Sequence, residues 1–305
     1  MTKKSGPALV LTILFLAALA RAQYQARLEG QVLDAQGSPL EKVEVSIVSQ
    51  RTSSIRFDLK TGKDGRFLQV GLMPGYYLVS FRKSGFAPNS TEVHVGVAGE
   101  MKVNVTLQAA GAEAQRTFSA ADKLFLKGNE LYAKQDFAAA SEAYVQAIGV
   151  NPGNWGYHLN LGLAYKKMGR SEDALAQFMK AAELNPESYS AEKEAGEALA
   201  KAGRFPEARG FYEKAAELSP DDPDAHYNLG VCLVNIGEPE PALAQFEKAS
   251  ELRPDYADAY YQAATILIGQ NRIPEAVAAL EKFLELAPDS PQAGIARQLL
   301  QALKK

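Results

Sequence analysis

Two periodicities, and the point where one gives way to the other, predict a two-part fold: an all-β sandwich followed by an all-α helical solenoid. From residue 24 to about 108, apolar and polar residues alternate with a period of two, and turn residues separate the runs. Farther on, the tetrapeptide Glu-Leu-x-Pro stands at 183–186, 217–220, 251–254 and 285–288, a spacing of 34 residues each time. That period belongs to stacked helical repeats.

The chain begins with a segment that reads as targeting, not fold. Lys3 and Lys4 form a positive start, Ala8 to Ala20 is an uncharged apolar run of 13 residues, and Ala20-Arg21-Ala22 is a small-x-small cleavage pattern. Residues 1–22 are therefore expected to be a signal peptide, and the protein to be exported to a periplasm, cell envelope or extracellular space. The run falls short of the roughly 20 apolar residues a membrane span needs, so membrane contact is expected only if the segment stays uncleaved. Cys232 is the only cysteine, which excludes an intramolecular disulfide and a cysteine-based metal site. Its setting, "LGVCLVNIG", is that of a small buried hydrophobe.

Between residues 24 and 108 the strands are legible as alternating runs. "VEVSI" puts Val43, Val45 and Ile47 on one face; "YLVSF" does so with Tyr77, Val79 and Phe81, and "MKVNVTL" with Met101, Val103, Val105 and Leu107. Half-buried antiparallel strands are expected, separated by turns at "DAQGSP", "GKDG", "MPG" and "GFAPN". Three pieces, "GQVLDAQGSPL", "TGKDGRF" and "LMPGYYLVSFRKSGF", carry a resemblance to the carboxypeptidase regulatory-like family. The resemblance implies a transthyretin-like sandwich. It implies no activity, because such modules accompany many different proteins.

"QAAGAEAQRT" has no apolar period, so residues 109–120 read as a linker. After it, Pro152, Pro186, Pro220, Pro254 and Pro288 set out five units, 121–154, 155–188, 189–222, 223–256 and 257–290. In the second unit Leu161, Gly162, Tyr165, Gly169, Ala174, Phe178, Ala181 and Pro186 follow the tetratricopeptide pattern, and the units resemble that family. Small residues recur in the first helix (Gly128, Gly162, Gly196, Gly230, Ala264) and in the second (Ala140, Ala174, Ala208, Ala242, Ala276), so that the helices of a unit can approach. Tyr144, Phe178, Tyr212 and Phe246 are expected to fill space between neighbouring units. Gly169, Gly203 and Gly237 suit a left-handed helix end, while Gln135 and Asn271 stand there in the outer units. Residues 291–305 read as a capping helix with Ile295, Leu299 and Leu303 on one face.

Nothing in the chain reads as a catalytic constellation. Residues 109–305 hold 20 basic and 28 acidic residues, a balance that repels phosphate backbones and argues against nucleic acid as a partner. Glu183, Glu217, Glu251 and Glu285 each follow a lysine by three positions, the spacing of solvated ion pairs on a helix. His158 and His226 share a repeat position two units apart. With helices roughly 10 Å across they cannot share a metal ion at about 2 Å ligand distances. No HExxH, phosphate loop or GxSxG is present, so the expectation is a non-enzyme without cofactor.

The tetratricopeptide resemblance implies a peptide groove lined by the first helices. Carried onto this chain, the groove positions are Phe125, Asn129 and Tyr132, then Leu159, Asn160, Leu163, Lys166 and Lys167. Lys193, Glu194 and Glu197 follow in the third unit, Tyr227, Asn228 and Val231 in the fourth, and Tyr261, Gln262 and Thr265 in the fifth. Asn129, Tyr132, Asn160, Lys167, Tyr227, Asn228 and Tyr261 are the candidate contacts, since asparagines can bond a peptide backbone and aromatics give area at low entropy cost. One version of the groove clamps a C-terminal carboxylate with basic residues and asparagines. Asn129 and Asn160 match it, but Phe125, Ser190 and Glu194 stand where it has basic residues, so that clamp is absent. The expected partner is a protein or peptide. The alternatives are a glycan bound by the sandwich, where Tyr24, Tyr76 and Tyr77 offer rings, and a role as accessory subunit of an envelope peptidase.

Overall fold

Seven strands form two facing sheets in the computed structural model, whose described residues are 26–50, 55–96 and 99–304. The signal-peptide reading of residues 1–22, and Tyr24, lie outside them. Strands β1 (Ala26–Asp34), β4 (Arg66–Leu72) and β7 (Glu100–Leu107) make one sheet in the order β4-β1-β7. Strands β2 (Glu44–Ser49), β3 (Arg56–Lys60), β5 (Gly75–Arg82) and β6 (Asn89–Val95) make the other, in the order β3-β2-β5-β6. The alternating residues meet between the sheets: Leu28, Val45, Ile47, Val79, Phe81 and Leu107 are all buried there. The expectation of antiparallel strands fails at one pair. β1 and β7 run parallel, from Arg27 opposite Glu100 to Asp34 opposite Leu107. Parallel neighbours need a long connection, and the chain from β2 to β6 supplies it by crossing to the opposite sheet, returning for β4 and crossing again.

The turn residues that carried the sequence reading hold this sandwich together. Asp34 accepts hydrogen bonds from the backbone of Gln36 and Ser38 at 2.9 and 2.8 Å. Thr61 is buried; its hydroxyl accepts from the Val43 amide at 2.9 Å and donates to the Leu40 carbonyl at 2.6 Å. Gly30 allows no side chain, because a Cβ there would run into the Val103 carbonyl and the Phe67 ring.

The helical part starts earlier than expected. Helix α1 spans Ala112–Ala133, so most of the stretch read as a linker is helix. Alanine and glutamate are strong helix formers, and a segment can be helical by propensity without an apolar period to announce it. Arg82 of β5 reaches Asp122 of α1 at 3.5 Å, and α1 pairs with α2 (Phe137–Val150).

The chain divides into two compact units between Pro152 and Gly153. The second unit contains α3 (Trp155–Lys167), α4 (Ser171–Leu184), α5 (Tyr189–Lys201), α6 (Phe205–Leu218) and α7 (Pro223–Asn235). It continues with α8 (Pro239–Leu252), α9 (Ala257–Gly269), α10 (Ile273–Leu286) and α11 (Ala293–Leu303). Each helix packs on the next, in pairs that follow the repeats. Asn154, Ser188 and Asp222 cap the first helices of three pairs by accepting from backbone amides. Gly169, Gly203 and Gly237 have φ of 75°, 74° and 83°, and Gln135 and Asn271 adopt the same left-handed turn at 64° and 57°.

One packing expectation is sharpened and another is corrected. The recurring aromatics close on the glycine of their own unit: a Cβ on Gly162, Gly196 or Gly230 would lie 2.5, 3.0 or 2.7 Å from the ring of Phe178, Tyr212 or Phe246. The glycine makes room for a ring within the helix pair, while Tyr212 and Phe246 also belong to a buried cluster that runs through the neighbouring units. In the capping helix, Ile295 is 54% exposed. The packed face is instead Ala293 and Ala296, with Leu299, Leu300 and Leu303 partly covered, because α10 approaches closely enough to favour small residues.

Candidate functional site

The recurring charges sit on the outer side of the second helices. Lys180, Lys214, Lys248 and Lys282 reach Glu183, Glu217, Glu251 and Glu285 at 2.8, 3.7, 3.4 and 3.0 Å, each pair well exposed. The histidines are likewise engaged within their own pairs. Nδ1 of His158 lies 2.8 Å from Gln177, and Nδ1 of His226 lies 2.8 Å from Gln245. Cys232 is buried with its thiol directed at the Phe205 carbonyl, and burial pushes its pKa up. Among the described residues no group of His, Cys, Asp and Glu is arranged to hold a metal ion, and no helix is long and apolar enough to cross a membrane.

In the first compact unit, two candidate groove residues are tied into their own helix pair. Asn129 accepts a hydrogen bond from the Tyr144 hydroxyl at 2.8 Å, and Tyr132 meets Phe137 edge-on at 5.1 Å. The asparagine that resembled a clamp residue therefore already has a partner.

The second compact unit brings the remaining first-helix positions onto adjacent helices. Asn160, Leu163, Lys166 and Lys167 lie on α3 at steps of three and four residues, the spacing that shares a helix face. Leu159 does not belong with them: it is fully buried, because the face of α3 toward its neighbours includes that position. Lys166 reaches across to α5 and bonds Glu194 at 2.6 Å and Glu197 at 3.0 Å, and Lys193 lies 3.9 Å from Glu197. Burial pushes the Lys166 ammonium down, but the two carboxylates outweigh it and hold the group above its usual range. Burial also raises the Glu194 carboxyl, against the pull of Lys166. Lys167 is exposed at the end of α3.

Toward the other end the surface is aromatic. Tyr227 of α7 packs on Phe246 at 5.6 Å and stacks on Tyr256 at 4.9 Å, and Tyr261 of α9 packs on Phe283 at 5.0 Å. Asn228 of α7 is half-buried, and its side chain has no hydrogen-bond partner among the described residues.

Sequence reasoning missed the cluster that fixes these rings. Arg253 makes a two-pronged pair with Asp224 at 3.0 and 3.0 Å, and its guanidinium lies 4.5 Å above the Tyr256 ring. The signal was present, since Tyr256 stands where other units have the capping residues Asn154, Ser188 and Asp222. In the sandwich, Tyr77 is core, with its hydroxyl donating to the Met73 carbonyl at 3.0 Å, and so offers no ring to a glycan. Tyr76 is stacked on His94 with centroids 4.6 Å apart.

Family models match the chain in four places. A carboxypeptidase regulatory-like domain matches residues 27–108, a TPR repeat 128–169, a tetratricopeptide repeat 159–223, and anaphase-promoting complex, cyclosome, subunit 3 matches 201–283. No curated protein matches the chain. Among solved structures the chain is similar to YrrB, described as a TPR protein with an unusual peptide-binding site. Identity is 25%, over 61% of this chain and 95% of that one, with a TM-score of 0.56. It is similar to MamA at 28% identity, over 53% of this chain and 94% of that one, with a TM-score of 0.51. MamA from Desulfovibrio magneticus RS-1 shares the fold at 18% identity, over 56% and 97% of the two chains, with a TM-score of 0.52. With the facing sheets, the paired helices and these matches together, the chain carries an N-terminal carboxypeptidase regulatory-like domain followed by tetratricopeptide repeats.

Proposed function

We propose that this protein is a non-catalytic, exported interaction scaffold whose first-helix surface in the second compact unit holds a partner protein or peptide. One observation carries the reading. Residues on the outer side of the second helices repeat from unit to unit, whereas those on the first helices differ. Position Asn160 becomes Glu194, Asn228 and Gln262 in successive units. A surface that only has to be soluble can repeat; one that recognises an irregular ligand cannot. The peptide-binding site of YrrB, a relative in fold and sequence, supports the reading. Export rests on the pattern of residues 1–22, and sequencing the N-terminus of the mature protein tests it, with Gln23 expected first.

A photo-crosslinking residue placed at Asn228 should capture the partner in the native envelope, and the same residue at Glu217 should not. Equal capture at both positions, or none at Asn228, would remove the assignment.

A further inference from the structure

The same four first-helix positions, followed through the second compact unit, divide the surface by charge. In the second and third units they include Lys166, Lys193, Glu194 and Glu197. In the fourth they are Tyr227, Asn228, Val231 and Val234, and in the fifth Tyr261, Gln262, Thr265 and Ile268, with no formal charge among the eight. Val234 is 41% exposed, at the repeat position of Lys166.

We infer that the ligand is an internal, uncharged stretch of polypeptide with apolar side chains, laid against the fourth and fifth units, and that carboxylates are turned away; this rests on the groove reading above. Charge complementarity points there from both ends. Lys166 is already held by two carboxylates at 2.6 and 3.0 Å, so an incoming Asp, Glu or C-terminus would meet Glu194 and Glu197 there, and the exposed Lys167 beside it lies on α3, outside the fourth and fifth units. A charged side chain placed against Val231 or Val234 would lose water without finding a counter-ion, which is costly. The Asp224–Arg253 pair beside the rings satisfies itself in the two-pronged form and leaves neither charge over. What the surface does offer suits a neutral backbone. Tyr227 and Tyr261 are held by neighbouring rings and give contact area at little entropy cost, and the Asn228 amide can both donate to and accept from a peptide group.

The test is selection of random 12-residue segments on the full chain. One library is displayed internally, with no free end, and the other carries a free C-terminus. Enrichment of uncharged, apolar segments from the internal library is expected. Val234→Glu, on an exposed position, should weaken the selected segments at least about tenfold, and Thr265→Glu should do the same. Enrichment of acidic or basic segments, or a requirement for the free C-terminus, would overturn this inference and leave the groove standing. Absence of any enriched segment, or binding indifferent to Val234→Glu and Thr265→Glu, would overturn the groove as well.

Discussion

Gly162 lies beneath the edge of the Phe178 ring, so close that a Cβ there would sit 2.5 Å from Cε1. The fifth unit shows the alternative solution, with Ala264 in place of the glycine and Leu280 in place of the ring. Alanine normally stabilises a helix over glycine by roughly 0.5–1 kcal/mol. Here Gly162→Ala is expected to destabilise by about 1–3 kcal/mol through overpacking. Adding Phe178→Leu should recover part of that loss in urea unfolding, since the pair then copies the fifth unit.

Gln135 holds φ of 64° where three other units have glycine. A left-handed conformation costs a residue with a Cβ roughly 1–2 kcal/mol, part of which glycine gives back through its freer unfolded chain. Gln135→Gly should therefore raise the unfolding free energy by about 0.5–1 kcal/mol. Asn271→Gly should gain less, because asparagine tolerates this region better. Thermal melts of the two variants against the parent check both.

Glu192 occupies the repeat position of His158 and His226, but Phe211 stands where their glutamine partners are. Buried without such a partner, its carboxyl is pushed up to about 7, mainly by burial and despite Lys214. The folded chain thus holds this proton more tightly than the unfolded one. Its contribution to stability is complete below the ordinary carboxylate range and is lost as pH rises toward 7. Glu192→Gln should leave stability near its parent value at pH 4 and raise it by about 1–3 kcal/mol at pH 8. A gain of equal size at both values would show that the charge is not the cause.

The exposed Lys–Glu pairs call for the opposite expectation. Glu217→Gln, which removes a contact of 3.7 Å, should change stability by less than about 0.5 kcal/mol and should not alter partner capture. A loss of capture would move the binding surface to the second helices.

Much of the fold could be read without coordinates. Alternation announced the strands, because each must bury one face, and the 34-residue period announced the helix pairs, because each must stack on the next. Two features hid themselves for a physical reason. Helix α1 enters the supposed linker on intrinsic propensity, which leaves no periodic trace, and the parallel partnership of β1 and β7 depends on a closure that no local pattern records. The surroundings of the candidate residues were half legible. Repeat arithmetic put Asn228 and Tyr261 on first helices, where they stand, but it counted Leu159 as outward and Asn129 as available.

By itself, then, the sequence determined the kinds of element, their order and their spacing, since these follow from periodicity, glycine and proline. Only the tertiary structure decided which side chains are spoken for. Asn129 is taken by Tyr144, Lys166 by Glu194 and Glu197, and Asp224 by Arg253, while Asn228 carries no such bond among the described residues. These partnerships join residues 15 to 31 positions apart in the chain, and hydrogen bonds form only when packing brings donor and acceptor within about 3 Å.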